Sequence, residues 1–171
     1  MLEFKNYDKS FSIYESNSNT KKMPLISWDF YGDFLNQLNK IISDQNQLEL
    51  LATLNSWKTE FNFNNDIDVD TVVVVTCPSL KIVFSTKNMV RMNGYHPEEV
   101  LGMSPKMFQG EATCLQTSKE IGLAVQSKQP FEKTVTNYRK DGLMYRCHIK
   151  GFPIFNKSGE LINFIAFEKA A

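Results

Sequence analysis

The chain has 171 residues, 42% of them hydrophobic and 12% aromatic, which excludes wholesale disorder and leaves room for one domain of ordinary size plus a short extension. Formal net charge is zero, but residues 1–70 carry 6 basic against 11 acidic side chains and residues 71–171 carry 13 against 8. The basic excess is scattered rather than clustered among aromatics, so no nucleic-acid partner is expected, while opposite charge in the two parts suits packing on each other or antiparallel self-association.

Residues 1–24 are polar and rich in Ser and Asn, which predicts a flexible arm. Ser27 offers a helix N-cap, and Trp28, Tyr31, Leu35, Leu38 and Ile42 follow at helical spacing. Ser43-Asp44 punctuates that stripe, and Leu48, Leu51, Leu54, Trp57 and Phe61 form a second. Two amphipathic helices, 28–42 and 48–61, are predicted in an extension spanning 25–66. From about residue 67 the composition turns β-branched. Thr71–Cys77 and Leu80–Ser85 read as a hairpin about Pro78-Ser79. Residues 86–126 lose the β pattern and contain short helices with one longer helix near Thr113–Gln126. Three strands follow, roughly Glu132–Arg139, Leu143–Phe152 and Leu161–Glu168, joined by turns at Lys140-Asp141-Gly142 and Asn156–Gly159. The order predicts an α+β fold with one five-stranded antiparallel sheet, short helices on one face and two N-terminal helices, the main domain covering 67–171.

Cys77, Cys114 and Cys147 are odd in number and share no C-x-x-C spacing, and His96 and His148 lie far apart, so no metal site is predicted. The thiols are expected to be reduced and mostly buried, and His148, between Arg146 and Lys150, to lie on a wet face. The N-terminus lacks an apolar signal core, and no run approaches the ~20 apolar residues of a membrane span. A cytoplasmic protein with no membrane partner is expected. No nucleophile–base pair, phosphate loop or metal cluster points to an enzyme.

Phe84-Ser85 with Asn88, then Asn93-Gly94-Tyr95 and Pro97-Glu98-Glu99-Val100-Leu101-Gly102, resemble the signature segment of PAS sensor domains. Met107-Phe108-Gln109-Gly110, Asn137–Gly142 and the Asn156–Gly159 turn resemble the flavin-binding LOV branch in particular, over about Val72 to Lys169. The resemblance implies a site for flavin mononucleotide between sheet and helices, and a cysteine in a G-x-N-C-R-F-L-Q motif that adds to the flavin in blue light. The matching stretch here is Gly102-Met103-Ser104-Pro105-Lys106-Met107-Phe108-Gln109, with Pro105 where the cysteine stands. Proline has no nucleophile, so no thiol adduct forms there.

By the same resemblance the pocket positions are Ser104, Lys106, Gln109, Asn137, Cys147 and Glu168. Gln109 and Asn137 match the family. Ser104, Cys147 and Glu168 replace an asparagine, an asparagine and a glutamine, Lys106 replaces an arginine, and a second arginine falls on Gly122. Each lost partner costs ~1–3 kcal/mol, enough together to erase micromolar binding. The expectation is therefore no bound cofactor, with flavin mononucleotide as the alternative. Met103, Met107, Phe108 and Phe164 are expected to fill the pocket, and Glu168 to sit near solvent at a strand end. Asn137 and Cys147 share inward strand parity with Val135 and Tyr145.

The first and last strands are apolar on both faces, so both faces need cover. Val72, Val74, Ile165 and Phe167, or their near neighbours, are assigned to the outer face. The N-terminal helices are expected to cover it and to join two chains as a homodimer. The function this predicts is a sensory or signalling module acting through protein contacts, without cysteinyl-flavin photochemistry. The alternatives are a flavin photoreceptor of altered chemistry, or a small-molecule sensor with a remodelled pocket.

Overall fold

A computed structural model describes residues 26–58, 63 and 67–171, with side chains from residue 32 onward. The expected arm, residues 1–24, lies outside the described residues. The chain divides into two compact units, residues 1–35 and 36–171. Of the first, the described residues all belong to helix α1 (Ile26–Leu54). The second holds the remainder of that helix and every strand.

Helix α1 is continuous where the sequence predicted a break. Asp44 does not turn back on its own backbone, as such residues do at caps and turns. It lies on the buried stripe Ile41, Asp44, Leu48 and Leu51, and its Oδ2 accepts a hydrogen bond from the Lys87 backbone N–H at 2.7 Å. The Lys87 ammonium donates to Ser43 Oγ at 2.8 Å. Both punctuating residues are thus engaged across the fold. The second predicted helix is also cut short. Ser56 takes a left-handed φ of 52°, Ser56 N–H bonds the Thr53 carbonyl at 3.1 Å and Trp57 N–H bonds the Ala52 carbonyl at 2.9 Å. That is the Schellman arrangement that ends a helix, with the buried Trp57 as its apolar anchor.

Strands β1 (Val72–Thr76), β2 (Ile82–Ser85), β3 (Phe131–Tyr138), β4 (Met144–Phe155) and β5 (Leu161–Ala170) form one antiparallel sheet in the order β2-β1-β5-β4-β3. Between β2 and β3 run α2 (Met89–Asn93), α3 (Pro97–Val100), a 3-10 turn over Pro105–Phe108, and α4 (Leu115–Gln126). Gly94, at φ 81°, closes α2 in the left-handed conformation that a side chain would resist.

Each sheet face carries its own apolar cluster. On the outer face Val73, Val75, Ile154 and Ile165 pack with Leu48 and Trp57, and Phe152 and Phe167 border them. On the inner face Val72 and Val74 pack with Ile82, Met89, Met92, Val100, Phe108, Tyr145 and Cys147. The assignment of Val72 and Val74 to the outer face is therefore reversed. A run of four valines has no polar alternation to mark its faces, and pairing decides instead: Val73 lies opposite Phe167 and Val75 opposite Ile165. Of the three thiols only Cys147 is buried; Cys77 sits in the β1–β2 turn, partly exposed, and Cys114 stands exposed before α4. His148, on the outer face, meets Glu132 at 3.0 Å and the Thr134 hydroxyl at 3.2 Å.

Candidate functional site

None of the residues of α4 is fully buried, although Ile121 and Val125 point toward the sheet. The helix stands off the inner face and leaves a cavity of about 650 Å³. Val74, Thr76, Phe164, Ala166, Ile149 and Gly151 form its floor; Pro105, Phe108, Leu115, Ile121 and Val125 are among its walls. The expected filling does not occur. Met103 is exposed, Met107 packs on the inner cluster, Phe108 serves as a wall and Phe164 as part of the floor. Gly122 leaves the helix side open, because a Cβ there would meet nothing within 4 Å.

Five of the six pocket positions line this cavity: Ser104, Lys106, Gln109, Asn137 and Glu168. Cys147 does not; it lies in the inner cluster and its thiol donates to Glu168 Oε2 at 3.6 Å. Ser104 Oγ accepts from the Lys106 N–H and starts the 3-10 turn, with Pro105 at the first helical position. There the missing N–H of proline removes no helical bond. Lys106 and Lys119 are exposed at the rim, and Gln109 Oε1 accepts from Ser118 Oγ at 3.4 Å.

Glu168 is buried, only 5% exposed, against the expectation of a wet strand end. Strand β5 runs on to Ala170 between two neighbours, with Glu168 opposite Val72 on one side and Ile149 on the other. Burial pushes its carboxyl up to about 7, against a smaller lowering by the Cys147 thiol. Burial, and then the Glu168 charge, hold Cys147 firmly protonated. Tyr145 is likewise raised by burial and by those two neighbours, and its hydroxyl finds no well-aligned partner. Thr76, on the cavity floor, also has a buried hydroxyl without a hydrogen-bond partner among the described residues.

Sequence reasoning missed Thr76, Lys119, Ile149, Gly151 and Phe131 as lining residues. Strand parity with Glu168 and Asn137 carries some of that information, and the spacing Leu115, Ser118, Gly122, Val125 carries the helix side. Gly151 has a local reason: a Cβ there would run into the Phe131 ring, which lies across β4 on the cavity side.

The PAS domain family profile matches residues 69–169, the whole sheet with its intervening helices. The chain belongs to the PAS domain family. Its relatives include a LOV protein and a blue-light-activated kinase. Protein TWIN LOV 1 of Arabidopsis thaliana is 34% identical over 88 residues, 51% of this chain and 22% of that protein. A blue-light-activated histidine kinase of Brucella abortus is 30% identical over 91 residues, 52% of this chain and 18% of the kinase. Phototropin-2 of rice, Oryza sativa subsp. japonica, is 31% identical over 93 residues and is matched over 10% of its length. The chain thus corresponds to less than a quarter of each of these relatives. Among solved structures, the light state of the Aureochrome1 LOV photoreceptor superposes with a TM-score of 0.57 at 21% identity, covering 60% of this chain and 82% of that one. The LOV domain of the Erythrobacter litoralis EL346 kinase gives 0.55 at 20% identity, covering 58% and 94%. The fold is that of a PAS sensory domain closest to LOV.

Proposed function

We propose that this PAS domain is a sensory module whose state is set by a small molecule held non-covalently between sheet and α4, with no cysteinyl-flavin step. The observation that carries this reading is a roomy cavity whose walls hold no thiol. Pro105 is at its edge, and Cys147 lies outside it, protonated and hydrogen-bonded to Glu168. The cavity falls in the 300–1,000 Å³ range typical of ligand sites. Apolar walls with a few polar groups suit a flat ligand. Ligand extracted from purified protein by denaturation and identified by mass spectrometry tests the reading; protein free of any stoichiometric small molecule, and unable to take one up, would sink it.

The volume also supports a second reading, flavin mononucleotide as that occupant. Gln109, Asn137 and Glu168 would hold its ring, and Lys106 with Lys119 its phosphate. When bound, flavin supplies visible absorption and an electron acceptor. A visible spectrum separates the two readings, and flavin absorbance that bleaches reversibly in blue light would contradict the adduct-free proposal.

Output through a second copy of the chain is the other half of the proposal. On α1, Ile42, Leu50 and Leu54 turn away from the sheet, with Leu50 58% and Leu54 73% exposed. Their spacing of eight and four keeps them on one side of the helix, an apolar stripe suited to a like stripe. Light scattering on the whole chain and on a Leu50→Glu/Leu54→Glu variant tests this, with dimer expected for the first and monomer for the second.

A further inference from the structure

Among the described residues, the carboxyl of Glu168 is the one acidic group on the cavity wall. Its sole hydrogen bond there comes from the Cys147 thiol, a weak donor, and no lysine or arginine contributes to its environment. The two cations of the cavity, Lys106 and Lys119, are both exposed at the rim. An acid inside an apolar chamber without a counter-charge is costly to keep unless something donates to it. The cavity is thus polarised: an acceptor inside, cations outside, apolar walls between.

The geometry points to a ligand of the opposite polarity, a flat amino-heteroaromatic whose buried edge gives paired N–H donors to Glu168 and whose anionic tail lies between Lys106 and Lys119. This rests on the reading of the cavity as a ligand site and names the chemical class. A guanidine-like edge, with an amino group beside a ring N–H, matches the two acceptor oxygens of a carboxylate. An oxo edge, carbonyl beside N–H, sets acceptor against acceptor once Glu168 is ionised, above about pH 7, and the flavin ring has an edge of this oxo kind. The walls select flatness, since Phe108, Phe131 and Phe164 line the chamber together.

Pterin-6-carboxylate and lumazine-6-carboxylate differ in that edge, amino against oxo, and share ring size and tail. Their affinities are measured by calorimetry on the full chain at a pH just above the Glu168 pKa of about 7, beside 8-anilinonaphthalene-1-sulfonate as a general occupant. Wild type is expected to bind the pterin at least tenfold tighter than the lumazine. Glu168→Gln, whose amide offers one donor and one acceptor, is expected to abolish or reverse that ratio. Lys119→Ala is expected to weaken both ligands by the same factor, a readout independent of how well Glu168 variants fold. Equal affinities for the two pteridines in wild type, or a preference unchanged in Glu168→Gln, would overturn the inference while dye binding keeps the cavity reading intact. Failure of all three probes to bind would remove the cavity reading and the inference with it.

Discussion

The two faces of the sheet are covered in different ways. On the outer face α1 and the turn that ends it press Leu48 and Trp57 onto Val73, Val75, Ile154 and Ile165, and the layer is closed. On the inner face α2, α3 and the 3-10 turn pack tightly on Val72 and Val74 through Met89, Val100 and Phe108, but α4 stands away and leaves about 650 Å³. Both faces are equally apolar along β1, so hydrophobicity alone does not decide which is filled. What differs is the covering helix: α1 sets a continuous buried stripe on the sheet, whereas α4 places Gly122 and half-buried side chains over it. One face is filled by its covering helix and the other encloses a cavity.

That comparison breaks first at Leu48. Leu48→Ala removes a fully buried side chain from a closed layer and is expected to cost about 2–5 kcal/mol in chemical denaturation. Val125→Ala, on the cavity wall, deletes atoms that already border open space and is expected to cost well under half of that. Equal losses would mean the inner face is as tightly packed as the outer.

Glu168 sharpens the contrast through pH. Its folded pKa of about 7 exceeds the ordinary 4.5, so the folded state holds an extra proton between those values. Stability should therefore fall as pH rises from about 4.5 through 7, by up to about 3 kcal/mol, and level off above. The exposed carboxylates with lowered pKa, Asp68 and Glu99 among them, act only below this window. Glu168→Gln should flatten the slope; an unchanged slope would place the titrating group elsewhere.

Asp44, on the closed side, is also raised by burial. Asp44→Ala loses the acceptor for the Lys87 N–H and is expected to destabilise by about 1–3 kcal/mol. Asp44→Asn keeps an acceptor and drops the buried charge, so it should be neutral or stabilising near pH 7. The smallest effect is expected at Gly122. Gly122→Ala meets nothing within 4 Å and gains helix propensity, about 0.5–1 kcal/mol of added stability by thermal melting.

The strands were legible because β-branched runs alternate with turn residues such as Lys140-Asp141-Gly142, and the PAS signature between Asn88 and Gly102 fixed their order. The N-terminal helix was misread because Ser43 and Asp44 carry local break signals that Lys87, more than forty residues away, overrides. The faces of Val72–Val75 were undetermined until β5 supplied partners. Among the pocket residues, the LOV resemblance named Asn137 and strand parity turned it inward. The burial of Glu168 depended on two further residues of strand, and Cys147 shares the inward face yet stops short of the cavity. The LOV resemblance implied a chamber between sheet and helices, but its open volume was not legible, since that depends on how far α4 stands from the sheet.

Strand β5 has a mechanical consequence. Phe167 and Glu168 are consecutive, yet one borders the α1 layer and the other lines the inner cavity. The partition between the two compartments is therefore a single backbone thick. A twist of β5 about its own axis that drew Glu168 toward an occupant would swing Phe167 the opposite way, into the layer under α1. In the proposed sensory reading the strand would serve as a rocker, with the ladder of hydrogen bonds that fixes it between β1 and β4 as its fulcrum.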